Sequence, residues 1–240
     1  MTHAHNDNPE VQKFSALASQ WWDGEGFSML HKINPVRVQY ILQHLSAAKK
    51  LGKHINLLDI GCGGGILTES MAALGMSVSG LDPSEESISV ASRHAASCGL
   101  DIKYYCSSIE EFSNKSELRY DVITMLEVAE HVTDVEHFLE NVSKLLKKGG
   151  MLFLSTLNRT IDSMIFGILA AEYILRWVPK GTHSWKKFLK PSEIEEILYK
   201  NGITIKDITG INYKILQDKW ELGDKVNVNY ILAAEKIRET

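Results

Sequence analysis

Cysteine, surplus positive charge and long uncharged apolar runs are all scarce in this 240-residue sequence, and each shortage removes a class of function. The three cysteines, Cys62, Cys98 and Cys106, are odd in number and lack CxxC spacing. That pattern argues against a disulfide framework and against a zinc site, and it fits a reducing cytoplasm. Lys and Arg total 26 against 30 Asp and Glu, a net charge of -4, so no basic field exists to attract nucleic acid. No stretch supplies the roughly 20 predominantly apolar, uncharged residues of a spanning helix. Met1 to Glu10 has neither an apolar core nor an arginine-rich amphipathic run, so it reads as a short tail, with His3 and His5 inert, rather than as an address signal. The hydrophobic content of 44% suffices for the core of a single α/β domain.

Val11, Phe14, Leu17, Ala18, Trp21 and Trp22 recur at helical spacing before Asp23-Gly24-Glu25-Gly26 stops the pattern. A second helix is predicted to begin near Asn34-Pro35, with asparagine as cap and proline in the first turn. Strands follow at 55–60, 77–81, 102–106, 120–125 and 151–155, with helices at 66–74 and 84–98 and an apolar helical stripe from Val135 to Leu146. Repeated βα units of this kind give a Rossmann-like, mostly parallel sheet with helices on both faces. After a helix at 191–200, segments 203–211 and 226–235 read as an antiparallel hairpin at the sheet edge. The single domain thus divides into a helical cap (1–50), a cofactor-binding core (51–157), an apolar insertion (158–190) and a C-terminal helix with strands (191–240).

Between the first strand and the next helix runs Asp59-Ile60-Gly61-Cys62-Gly63-Gly64-Gly65. In open α/β sheets ligands bind beyond the carboxyl ends of the strands, where glycines let backbone N–H groups come close. The spacing is G-x-G-x-G; the third glycine of a dinucleotide motif would fall on Ile66, so S-adenosylmethionine is favoured over a nicotinamide cofactor and an oxidoreductase becomes the minor alternative. Twenty-one residues after Gly61, Asp82 ends the second strand, placed to accept from both ribose hydroxyls. Ser108 and Ile109, just past the third strand, are positioned to border an adenine. These features define the fold class as that of class I S-adenosylmethionine-dependent methyltransferases.

Several segments resemble a known family: 14–23 (FSALASQWWD), 31–37 (HKINPVR), 58–71 (LDIGCGGGILTESM), 155–159 (STLNR) and 171–183 (AEYILRWVPKGTH). Together they are similar to the ubiquinone biosynthesis O-methyltransferases over almost the whole chain. The glycine loop is shared with many methyltransferases, whereas WWD, INP-x-R and VPKGTH are specific to this group. The resemblance implies methylation of hydroxyls on a polyprenylated aromatic ring at two steps of ubiquinone synthesis. It also implies cofactor contacts at Arg37, Gly61, Asp82 and Leu126. Arg37 makes chemical sense, because a guanidinium fork matches the methionyl carboxylate. Association with other enzymes of the same pathway follows from the same resemblance.

A phenol of pKa about 10 is a poor nucleophile until deprotonated, so the site needs a base, a metal or both. Glu127, Glu130 and His131 follow the fourth strand, and i, i+3, i+4 spacing predicts one shared helical face. They read as ligands for a divalent ion that acidifies the acceptor oxygen, or as a His131 base oriented by Glu130, or as an acidic helix N-terminus without chemical role. Use of Mg²⁺ is implied by the family resemblance, although a histidine ligand is unusual for that ion.

Residues 161–178 carry only Asp162, Glu172 and Arg176 as charges, flanked by Arg159, Lys180, Lys186, Lys187 and Lys190 and by Trp177 and Trp185. This predicts an interfacial helix in contact with membrane lipids at the cytoplasmic face, suited to a polyprenyl substrate, or else a lid over the acceptor pocket. A small soluble phenol is the alternative acceptor that this apolar insertion disfavours.

Overall fold

The computed structural model describes residues 9–22, 27–51, 54–164, 185–214 and 217–239. The elements in chain order are α1 (Pro9–Ala16), α2 (Ser28–Ala47), β1 (Asn56–Ile60), α3 (Ile66–Ala73), β2 (Ser77–Asp82), α4 (Glu85–Ser97), β3 (Lys103–Cys106), α5 (Ile109–Lys115) and β4 (Tyr120–Leu126). They continue with α6 (Val135–Leu145), β5 (Leu146–Leu157), α7 (Pro191–Lys200), β6 (Ile203–Lys214), β7 (Lys219–Gly223) and β8 (Asn229–Lys236).

One eight-stranded sheet in the order β3-β2-β1-β4-β5-β8-β6-β7 organises the chain. The first five strands are parallel; β8 runs antiparallel between β5 and β6, and β7 is the edge. Alternate strand residues feed two cores, as the period of two requires. Leu58, Ile123, Leu152 and Leu232 pack with Phe138, Leu139 and Leu198 of α6 and α7. Leu57, Val122, Phe153 and Ile231 pack on the other face with Tyr40, Ile41 and Leu45 of α2 and Met71 of α3. Helices thus cover both faces, as the alternating pattern predicts.

Several expected boundaries need correction. α2 begins at Ser28, and Pro35 lies inside it. Asn34 does not cap: its side chain is buried and donates to Ile66 O at 3.3 Å and Ser70 Oγ at 2.8 Å, tying α2 to α3. α1 ends at Ala16, so Trp21 and Trp22 lie beyond it, after a short 3₁₀ turn. The expected C-terminal edge hairpin is instead three strands, with β8 in the sheet interior and β7 added at the rim. α5 was not anticipated, although Ser108-x-x-Glu111 is a capping signature and the Ser108 hydroxyl accepts from Glu111 N at 3.3 Å.

Candidate active site

The glycine turn connects β1 to α3, and its three glycines at 61, 63 and 65 all have positive φ, +68°, +52° and +89°. Gly61 N donates to Leu81 O at 2.8 Å and Gly63 N to Asp82 Oδ2 at 2.9 Å, while Asp82 Oδ1 accepts from Ser84 N at 2.9 Å. Asp82 therefore fixes the turn to the end of β2, and burial raises its pKa from its ordinary value, opposed by the Ser84 and Gly63 N–H groups.

The absence of Cβ atoms here has a second cause. A Cβ on Gly63 or Gly64 would run into the Trp21 indole. Trp21 stacks on Phe27 with centroids 3.7 Å apart and donates from Nε1 to Ser87 Oγ at 3.2 Å. Trp22 stacks on His94 at 3.5 Å and donates from Nε1 to Gly64 O at 2.9 Å. The tryptophan pair thus lies over the cofactor turn. Helical periodicity missed this, because it counts both indoles as ordinary apolar positions; the tryptophan doublet beside a small-residue loop was the available signal.

Beneath the turn, Asp59 is buried, with Oδ1 accepting from Thr124 Oγ1 and Oδ2 from Thr68 Oγ1, each at 2.7 Å. Burial pushes its pKa up to about 6, opposed by both threonines and by the charge of Arg37. Asp59 clasps β1, β4 and α3 together, so both of its oxygens already have partners within the protein. Ser108 is engaged as the cap of α5, and Ile109 is buried in the core against Leu58 and Phe112. Leu126, at the end of β4, packs beside the α2 core.

Arg37 lies on α2 and is 6% exposed; its Nη2 donates to Glu127 Oε1 at 3.1 Å, while its Nε has no hydrogen-bond partner. Glu127 Oε1 also accepts from Ser155 Oγ at 2.8 Å, and Glu127 N donates to Ser155 O at 3.0 Å. Its backbone is left-handed, φ +58°, in a non-glycine residue. Such strain costs about 1–3 kcal/mol and is concentrated at functional sites.

The expectation that Glu127, Glu130 and His131 share a helical face is corrected here: only Ala129–His131 form a 3₁₀ turn, and the left-handed Glu127 precedes it. Glu130 is 2% exposed, and its Oε2 accepts from Thr156 Oγ1 at 2.7 Å while its Oε1 is unpartnered. Burial, then the neighbouring Glu127 charge, holds Glu130 well above the carboxylate range. The three do not bring one metal-ligand atom each together; among the described residues only Glu69, His94 and Cys98 do so. The apolar insertion lies largely in 165–184, outside the described residues, and its described start exposes Ile161 and Met164. Among the described residues no helix is long and apolar enough to cross a membrane.

A family profile for a methyltransferase domain matches residues 29–207. The chain is 46% identical to the ubiquinone biosynthesis O-methyltransferase of Pelagibacter ubique, covering 92% of this chain and 95% of the relative. It is 44% identical to that of Parvibaculum lavamentivorans, over 97% and 95%. The fold is similar to that of magnesium protoporphyrin IX methyltransferase from Synechocystis with bound SAH (TM-score 0.67, 19% identity, 96% of each chain). It also resembles the plantazolicin methyltransferase complex with a substrate analogue and SAH (TM-score 0.67, 15% identity, 99% and 94%).

Proposed function

We propose a division of labour among the residues of this chain, starting from the premise that it belongs to the ubiquinone biosynthesis O-methyltransferases. The activity is S-adenosylmethionine-dependent O-methylation in ubiquinone biosynthesis. The acceptor is a polyprenylated phenol, as the relatives' name implies.

S-adenosylmethionine supplies a methyl group on an electrophilic sulfonium. The acceptor oxygen attacks that methyl as the C–S bond breaks, and the phenolic proton must leave. Arg37 holds the carboxylate end of the cofactor. The unpartnered buried Nε carries this reading, since a buried guanidinium N–H without an acceptor is costly and a carboxylate would satisfy it. Gly61 and Gly63 give the backbone close approach, Asp82 receives the ribose hydroxyls, Ser108 and Ile109 border the adenine, and Leu126 contacts the cofactor from the end of β4. Asp59 positions rather than contacts, through its threonine clasp.

At the acceptor end, Glu127 and Glu130 form an adjacent carboxylate pair in which Glu130 Oε1 lacks a partner and burial, then the Glu127 charge, raises the Glu130 pKa. A hard oxygen pair of this kind fits Mg²⁺, and His131 does not belong to that donor set. Glu127 and Glu130 would hold the ion, which would acidify the acceptor hydroxyl. His131, the last residue of the same 3₁₀ turn as Glu130, takes the phenolic proton.

Exposed Ile161 and Met164 at the start of the insertion support peripheral contact with membrane lipids at the cytoplasmic face. Flotation with anionic vesicles that is unchanged by deleting 161–178 would remove that role. The pathway assignment is tested by mass spectrometry of quinone intermediates in a deletion strain. Accumulation of unmethylated polyprenyl phenols is expected; normal methylation would refute the assignment.

A further inference from the structure

Away from the acceptor site, α3 and α4 face each other across a small polar cluster. Glu69, 6% exposed, has both carboxylate oxygens 2.9 Å from His94 Nδ1. Cys98 Sγ lies 3.8 Å from the same nitrogen. His94 and Cys98 are four residues apart at the C-terminal end of α4, so they project from one face, and the donor atoms of all three residues lie within 4.8 Å of one another.

We propose that Glu69, His94 and Cys98 form a binding site for a thiophilic divalent cation of the zinc class, separate from the methyl-transfer site. The geometry suits tetrahedral coordination. Bonds of about 2.0–2.3 Å to O, N and S place neighbouring ligands roughly 3.3–3.8 Å apart, close to the observed Glu69–His94 and His94–Cys98 spacings of 2.9 and 3.8 Å. The donor set of thiolate, imidazole and carboxylate selects zinc or cobalt over magnesium.

An entry path exists as well. The Cys98 thiol is exposed and the His94 ring is 30% exposed, while Glu69 closes the interior side. A fourth position would keep a water. Trp22, stacked on the His94 ring and bonded to Gly64 O, fixes the imidazole orientation as an outer-shell partner would. Cysteine spacing in the sequence could not disclose this group, because two of its three ligands are not cysteine and they come from different helices.

Competition of the full-length protein against a chromophoric chelator for Zn²⁺, together with near-ultraviolet absorption of the Co²⁺-loaded protein, tests the proposal. A single tight equivalent and a thiolate-to-cobalt band are expected. Cys98→Ser, at an exposed position the fold tolerates, is expected to weaken Zn²⁺ binding by more than about tenfold, which is already the least that outer-shell changes cost, and to abolish the band. Cys106→Ser is expected to change neither. Absence of stoichiometric binding, equal binding by Cys98→Ser, or loss of the band in Cys106→Ser instead would overturn the proposal.

Discussion

Arg37 on α2 and Glu127 at the end of β4, ninety positions apart in sequence, meet at 3.1 Å between Nη2 and Oε1. The pair joins α2 to the turn that follows β4. Its partners have 7% and 23% side-chain exposure, so solvent screens this ion pair only weakly. Removing Arg37 leaves Glu127 underpaired and takes away the guanidinium assigned to the cofactor carboxylate. Arg37→Ala is therefore expected to weaken S-adenosylhomocysteine binding by about 10–100-fold, the equivalent of a charged hydrogen bond of about 1.5–3 kcal/mol. Calorimetric titration of the two proteins checks it, and unchanged affinity removes Arg37 from the cofactor site.

The Asp59 clasp carries a pH signature. Its folded pKa of about 6 lies above its ordinary value of 3.8, so the folded state binds the proton more tightly than the unfolded chain. Stability from this group is complete below about pH 4 and is lost as pH rises through about 6, by roughly 3 kcal/mol in all. Asp59→Asn keeps a neutral group there. Urea denaturation is expected to show a shallower decline between pH 4 and 6.5 in the variant than in the parent protein; parallel curves would show that Asp59 does not carry this proton.

Two glycines with positive φ separate backbone strain from steric exclusion. Gly149 has φ +75° and nothing near a new Cβ, whereas Gly63 has φ +52° and the Trp21 indole against it. Gly149→Ala is expected to cost about 1–2 kcal/mol, the price of a left-handed alanine. Gly63→Ala adds displacement of Trp21, about 1–3 kcal/mol more, and reduces cofactor affinity. Equal losses in melting experiments would mean Trp21 does not rest on the turn in solution.

Glu130→Gln tests the carboxylate pair. Burial, then the Glu127 charge, raises the Glu130 pKa, and the nearly isosteric neutral amide is expected to leave thermal stability nearly unchanged. Methyl transfer is expected to fall by about 10²-fold or more, with the dependence on added Mg²⁺ abolished. A variant with full rate and the same Mg²⁺ response would exclude Glu130 from catalysis and from metal holding.

The parts of this molecule that were legible in the sequence are those where one local rule dominates. Gly61, Gly63 and Gly65 announce a turn that needs positive φ, and Asp82 stands where β2 must end. Alternating Leu57-Leu58 and Val122-Ile123 register as strands because both faces are buried. Failures arose where tertiary contacts outweigh the local rule. Asn34 looks like a cap but is spent on α3, and α2 starts at Ser28, seven residues before the expected Pro35. Glu127, Glu130 and His131 have helical spacing, yet the left-handed Glu127 breaks it so that its carboxylate reaches Arg37 and Ser155. β7 is a five-residue strand of mixed polarity that, among the described residues, pairs with β6 alone, and no periodicity marks it.

The most direct test of the account is transfer of a deuterated methyl from labelled S-adenosylmethionine to a polyprenylated catechol by the purified protein, followed by mass spectrometry. The account predicts product carrying the intact labelled methyl on oxygen, formed by the parent protein and strongly reduced in Arg37→Ala and Glu130→Gln. Absence of labelled product from the parent, or undiminished transfer by both variants, would contradict it.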